Sequence, residues 1–222
     1  MKRSLLALAI LFSFGLSART EYFKLHRKKV NNAIVSHAFS YNSLGFDPAP
    51  LNGYLNRFGM RQAFTNKISA IGIEEFSEAY PVDLAVSVAW MLPQQGWAGV
   101  NSDSLNLKLG GWQIMVSILG IDLIKSEKVN LTIGPEWNLG RYKIKKNATG
   151  ESETKYSNPF AAPGGRVDLQ FILGKFLIGA RAMYCYDISD YKWQRKSPNL
   201  EILPGTYNRG FNYVGYIGWS IN

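Results

Sequence analysis

The sequence predicts an all-β fold, an eight-stranded antiparallel transmembrane β-barrel with short periplasmic turns and long extracellular loops. Three observations predict it. Apolar side chains recur at every second position in most segments after residue 33. Eight such segments can be counted, and an even number suits a closed antiparallel ring. The connections between them run, in order, about twenty residues, five, eleven, four, eighteen, two and twenty, so long and short alternate. A soluble sandwich gives no reason for every long loop to lie on one side.

The first 18 residues are read separately. Lys2 and Arg3 precede an apolar run from Leu5 to Leu16, and small Ser17 and Ala18 follow it. That order is the pattern of a secretory signal peptide, cleaved after Ser17 or Ala18. The apolar run is shorter than the roughly 18 to 20 residues of a spanning helix. No cysteine follows it, so a lipid anchor is not expected. The predicted organisation is a signal peptide over 1–18, a short basic periplasmic tail over 19–32, and the barrel over 33–222.

Composition supports one sizeable folded unit: 222 residues, 46% hydrophobic, 14% aromatic and 18% charged. One cysteine, Cys185, excludes a disulfide framework and a thiolate cluster, and two histidines supply little for a metal. No metal or other cofactor is expected. The formal charge is +9. Without Lys2 and Arg3, 23 basic residues against 16 acidic ones leave +7, part of it between Arg19 and Lys29. Those tail charges are read as solvated, and no nucleic-acid partner is expected.

Each strand has its own pattern. Ala33 to Asn42 and Lys67 to Phe76 are the weaker ones. Val82, Leu84, Val86, Val88, Trp90 and Leu92 alternate with small or polar residues, as do Val129, Leu131, Ile133, Trp137 and Leu139. Val167 to Leu173, Phe176 to Tyr186 and Phe211 to Ile221 do the same. Between Leu105 and Ile124 the apolar phase changes, from Leu105, Leu107 and Leu109 to Trp112, Ile114, Val116 and Ile118. A bulge at Gly110-Gly111 is the expected cause. Ten residues at about 3.3 Å each, tilted near 45°, span roughly 23 Å, close to the apolar band of such barrels. One helical spacing breaks the series: Leu51, Tyr54, Leu55 and Phe58, after Pro48 and Pro50 and before Gly59. It is placed in the first long loop, either as a helix at the rim or as a plug or partner-binding helix.

If the large apolar residues face lipid, the other face lines a polar lumen. Trp90, Trp112, Tyr184, Tyr213 and Trp219 are then membrane-interface aromatics, with Tyr142 and Tyr216 as further girdle tyrosines. Glu74, Glu136, Arg166, Asp168, Arg181 and Asp187 fall at inward positions and form the candidate lumen charge network. Eight strands leave an interior just filled by side chains, so paired charges would block solute flow. A gated conduit with Arg181 pairing Glu136 is the alternative.

No catalytic residues are assigned. Phosphate-binding and dinucleotide motifs are absent from the sequence. His26 lies in the basic tail, and His37, around which Ser36, Ser40, Glu74 and Glu75 could be recruited on paper, lacks the local pattern of barrel lipases and deacylases. In the third long loop, Arg141, Lys143, Lys145 and Lys146 followed by Glu151, Glu153 and Lys155 make a mixed-charge surface. It is read as solvated, with contact to lipopolysaccharide phosphates as the sharper alternative.

With the leader, the eight strands, the loop rhythm and the terminal segment Gly210-Phe-Asn-Tyr-Val-Gly-Tyr-Ile-Gly-Trp-Ser-Ile-Asn222, the chain resembles small bacterial outer-membrane β-barrel proteins of the porin-like superfamily, most of all the Bacteroidetes type. The resemblance covers residues 30 to 222. It implies location in the outer membrane of a Gram-negative bacterium and a role in envelope integrity, adhesion or small-solute passage. Implied partners are outer-membrane lipids, lipopolysaccharide among them, and the barrel-insertion machinery, with a monomer as the default. Many members end in an aromatic residue, whereas this chain ends Ile221-Asn222. The expected function is a structural or surface-interaction barrel with a narrow, charge-plugged lumen. The alternatives are a small-solute channel and a soluble secreted lipocalin-like barrel.

Overall fold

A computed structural model describes residues 34–79, 82–100, 103–189, 192–195 and 202–221. The predicted signal peptide and basic tail lie outside the described residues.

Ten strands and one helix follow in order: β1 (Ile34–Gly45), α1 (Ala49–Asn56), β2 (Met60–Gln62), β3 (Lys67–Ala79), β4 (Val82–Val100), β5 (Asp103–Lys125), β6 (Val129–Ala148), β7 (Thr154–Leu173), β8 (Phe176–Tyr186), β9 (Gln194–Arg195) and β10 (Arg209–Ile221). Eight of them close a ring. Every sequential neighbour from β3 to β8 pairs antiparallel, β8 pairs β10, and β10 and β3 both pair β1. Each strand of the ring has a partner on both sides, so the closed part satisfies its own backbone groups; only where β4 and β7 run past β3 and β8 is one edge left over. β2 and β9 are short additions, on β4 and β7.

Antiparallel order puts the β3–β4, β5–β6 and β7–β8 strand ends that follow one another in the chain at one end of the ring, and those of β1–β3, β4–β5, β6–β7 and β8–β10 at the other. Two segments expected as long loops, Pro93 to Ser104 and Lys146 to Gly165, are mostly strand. β4 and β5 run on to a two-residue link, and β6 and β7 to a five-residue one. On β5, β6 and β7 the period of two continues while the apolar residues move to the other face, and on β4 the buried positions change from odd to even after Met91; both hid the strands from a reading that followed apolar residues alone.

β6 shows the change most simply. Its even positions face inward throughout and its odd positions outward. From Val129 to Leu139 the outward residues are apolar and the inward ones are Asn130, Thr132, Glu136 and Asn138. Beyond that, Arg141, Lys143 and Lys145 are outward while Tyr142 and Ile144 are fully buried inside. β5 changes in the same way: Leu105, Leu107 and Leu109 are buried, whereas Trp112 and Ile114 lie on the outer face. A register irregularity does occur at Gly110-Gly111, but the extra residue is on β4, between Met91 and Gln94, while β5 itself passes both glycines in unbroken register with β6. The extra residues of β5 lie further on, one between Val116 and Ile121, where register shifts against β4 and β6, and one between Asp122 and Ile124 against β6. Leu119, Ile121, Leu123 and Ile124 are the exposed apolar residues of this stretch. Gly111 has a different cause, because a Cβ there would stand 2.1 Å from the Arg141 carbonyl oxygen.

α1 is the predicted helix, and Leu51, Tyr54 and Leu55 are its buried face. Pro48 is the N-cap and offers no side-chain cap; Asp47 Oδ1 before it accepts the Ala49 N–H (3.0 Å). Asn52 ties the helix down by accepting the Phe64 N–H (2.8 Å) and donating to the Phe64 carbonyl (3.0 Å). Phe58 lies past the helix end and is exposed.

Candidate functional site: a filled lumen inside an apolar belt

The lumen is filled in layers. At the end bearing the long connections, Leu51 and Leu55 of α1 pack with Leu44, Phe46, Phe64, Leu107, Leu109, Tyr142, Ile144, Phe160, Trp193 and Leu203 in one buried cluster. Tyr142 stacks on Phe160 (centroids 4.7 Å) and meets Phe46 edge-on (5.6 Å). The last long connection is drawn in as well, where Trp193 Nε1 donates to the Pro204 carbonyl (2.9 Å). Of the two readings of the helix, this geometry matches a plug. Tyr142, expected in a girdle, is an interior residue with no exposed surface. Its even position on β6 carried that information.

Beneath the apolar layer lie buried amides. Asn212 Oδ1 accepts the Gly45 N–H (2.5 Å), Asn158 Nδ2 donates to the Thr206 carbonyl (3.2 Å), and Cys185 Sγ sits between Asn208 and Asn212 (3.2 and 3.1 Å).

The third layer is ionic, and it gathers five of the six charges predicted for the lumen. Arg181 on β8 is the hub. Its guanidinium donates to Asp168 Oδ2 from Nε and Nη2 (3.1 and 3.0 Å) and to Glu74 Oε2 from Nη2 (3.0 Å). Its Nη1 lies 3.6 Å from Glu136 Oε1. Arg166 donates to Asp168 Oδ2 (3.0 Å) and lies 3.8 Å from Glu136 Oε2. All five side chains are almost completely buried. Alternation brings them together: Asp168 and Arg181 are direct cross-strand partners, and Glu74, Glu136 and Arg166 are inward on their own strands. Three carboxylates thus meet two guanidinium groups.

Two aromatic residues complete this layer and were not in the predicted network. Tyr216 donates from its hydroxyl to Asp168 Oδ1 (2.5 Å), and its ring and that of Phe76 lie 5.9 and 5.7 Å from the Arg181 guanidinium carbon. Tyr216, expected in a girdle, therefore faces the lumen. Gly179 makes room for it, since a Cβ there would stand 2.2 Å from the tyrosine ring. The inward parity of Tyr216 on β10 was the available signal. Asp187, the sixth predicted charge, stands apart. It accepts from the Ser189 backbone and hydroxyl and from the Asn208 N–H (2.9, 2.6 and 3.1 Å) and so shapes the last long connection. Below the ionic layer, a cavity of about 20 Å³ remains between Phe76, Thr132, Arg166, Asp168 and Gln170, room for about one water.

The outer face is the reverse of the lumen. Phe39, Ile73, Ile121, Phe171, Phe176, Ile178 and Ile217 are among large apolar side chains left open around the ring, several of them more than half exposed. Apolar side chains exposed all round a ring are not the surface of a protein that meets only water. The lipocalin-like alternative requires the large apolar face to point inward, whereas here it points outward.

Among the five predicted interface aromatics, Trp90, Tyr184, Tyr213 and Trp219 are exposed, and Trp112 is half-buried on the same outer face, directly across from Trp90. Tyr184 meets Phe211 edge-on (5.1 Å), and Lys67 lies over Tyr213 (5.0 Å). These sit toward the long-connection end. Trp219 is at the other end, beside His37 and Phe39 (6.2 and 5.9 Å). His37 shares that outer face with its cross-strand partner Glu75, whereas Ser36, Ser40 and Glu74 are buried on the inner face. The sheet wall separates the histidine from those serines.

No protein-family model matches the sequence, and no curated protein matches it. Among solved structures, the chain is similar to Ail, the attachment invasion locus protein of Yersinia pestis, solved with the heparin analogue sucrose octasulfate. Identity is 12%, the match covers 86% of this chain and 99% of that one, and the TM-score is 0.49. It is also similar to Neisserial surface protein A, at 11% identity over 86% and 97% of the two chains with a TM-score of 0.43. A third is the outer membrane protease OmpT of Escherichia coli, at 9% identity over 86% and 98% with a TM-score of 0.45. At such identities no activity passes from these proteins to this chain.

Proposed function

We propose that this chain is an outer-membrane barrel protein with a structural or surface-interaction role and a lumen closed to solutes. The observation that carries the reading is the inversion of an ordinary core: apolar side chains cover the outside of the ring, and buried ions, amides and a helix fill the inside. Lipid is the solvent that makes such an outside stable. On this reading residues 1–18 are an export signal, the short turns are periplasmic, and α1 closes the mouth on the cell-surface side. The partners are outer-membrane lipids, lipopolysaccharide among them, and the insertion machinery, and the protein acts as a monomer without catalysis.

Support for a closed lumen comes from both ends. A solute arriving from the helix end meets side chains such as Leu55, Leu109 and Tyr142, which have no exposed surface. From the turn end it meets the ionic layer, and displacing Arg181 would take the paired cation from Glu74 and leave Glu136 and Asp168 with Arg166 alone. Planar-bilayer recording tests this. The protein is expected to insert, migrate faster on gels when unheated, and carry no resolved single-channel current. A steady ohmic conductance in the unmodified protein contradicts the closed lumen and favours the small-solute channel.

A further inference from the structure

Above the apolar band, one sector of the outer wall is cationic in a regular way. β5, β6 and β7 are in unbroken register there, so outward residues form rows across three strands. Ile114, Leu139 and Ala161 make the last apolar row. The next rows are Trp112, Arg141 and Pro159, then Gly110, Lys143 and Ser157, then Lys108, Lys145 and Lys155. Like charges directly opposite on neighbouring strands repel. Three lysines in one row, with a fourth and an arginine beneath, are thus an arrangement that folding alone does not favour. Glu153 reaches Lys145 and Lys155 at 3.7 and 3.4 Å. Among the described residues, Lys108, Lys143 and Arg141 pair with no carboxylate.

We propose that this ladder is a binding site for the phosphorylated headgroup of a membrane glycolipid. The inference rests on the lipid-facing reading of the barrel. Position selects a lipid over a soluble polyanion: the ladder starts one row above the apolar band, on an open wall, with Trp112 beside Arg141 at the interface. Height selects a large headgroup. Each row is about 5 Å higher than the last, taking two residues at about 3.4 Å and a tilt near 40°. Lys145 therefore stands about 15 Å above Leu139, whereas the headgroup layer of a phospholipid leaflet is only about 5 to 8 Å deep. Cations at three heights suit a headgroup bearing phosphoryl groups at more than one level. Arg141 supplies a fork for two phosphoryl oxygens, and the lysines supply point charges.

The test uses the protein folded into phosphatidylcholine vesicles containing a small fraction of bisphosphorylated lipid A, the same lipid enzymatically dephosphorylated, or none. The triple variant Lys108→Gln, Lys143→Gln, Lys145→Gln is compared with the unmodified protein, and Lys128→Gln, Lys175→Gln in the opposite turns is the control. Native mass spectrometry of the released protein counts retained lipid. The unmodified protein and the control are expected to retain the phosphorylated form. The triple variant should need about a hundredfold more of it, each lysine near an anionic surface contributing about fivefold. Equal retention by the triple variant, with insertion intact by gel mobility, overturns the proposal and leaves the barrel reading standing. Equal competition by inositol hexakisphosphate in solution overturns the lipid as the source. Failure of the unmodified protein to enter vesicles overturns both readings.

Discussion

Arg181 concentrates the cost of filling a narrow barrel with charge. Its guanidinium touches Asp168, Glu74 and Glu136 and lies beside the paired rings of Phe76 and Tyr216. A buried pair contributes little net stability over a hydrophobic replacement, but removing one partner leaves the other charged and dry. Arg181→Met removes the hub and leaves three carboxylates facing Arg166 alone. The expected loss is about 3 to 5 kcal/mol, read as a lower urea midpoint for unfolding from micelles. A second change, Arg181→Met with Glu74→Gln and Glu136→Gln, should recover part of it. An unchanged midpoint in the single variant would mean that the layer is not ionised or is not closed.

Single strands carry the division between lipid, interface and water. On β6 the outward series runs Val129, Leu131, Ile133, Pro135, Trp137 and Leu139, then Arg141, Lys143 and Lys145. An arginine in place of Ile133, within the apolar stretch, is expected to cost about 2 to 4 kcal/mol. The same charge at residue 143 is already native. Measured as folding free energy in vesicles, similar effects of Ile133→Arg and Lys143→Arg would contradict this division. The strand was only half legible in the sequence, for a physical reason. Alternation of large apolar with polar residues marks a strand while its apolar side faces out. Once Tyr142 and Ile144 turn the apolar side inward, the same period of two reads as a charged loop. The three-layer lumen was hidden for the same reason, whereas the ionic layer was visible because each of its charges already stood at a polar position between apolar ones.

At the scale of the whole molecule, the ring and its filling are separate problems. The number of strands in the ring and the grouping of connections at two ends were legible because closure in an apolar solvent demands them, whereas β7 begins at Thr154 and not at Val167. What fills the ring depends on which side chains meet across eight strands, and that follows from register, which no single segment contains. The helix illustrates this: its spacing marked Leu51, Tyr54 and Leu55, but their partners Leu107, Ile144 and Trp193 lie on other segments of the chain. Asp187 is the counterexample among the charges, since inward parity placed it in the lumen but it lies one residue past the end of β8, six residues beyond Arg181.

The most direct test of the central claim is a nitroxide scan along β6 in vesicles, from residue 129 to residue 147, on a Cys185→Ala background. Collisions with oxygen should peak at the odd positions from 129 to 139, and collisions with a water-soluble nickel chelate at the odd positions from 141 onward. The even positions should be shielded from both throughout. Oxygen exposure at the even positions, or loss of the two-residue period, would contradict a lipid-facing barrel with a filled lumen.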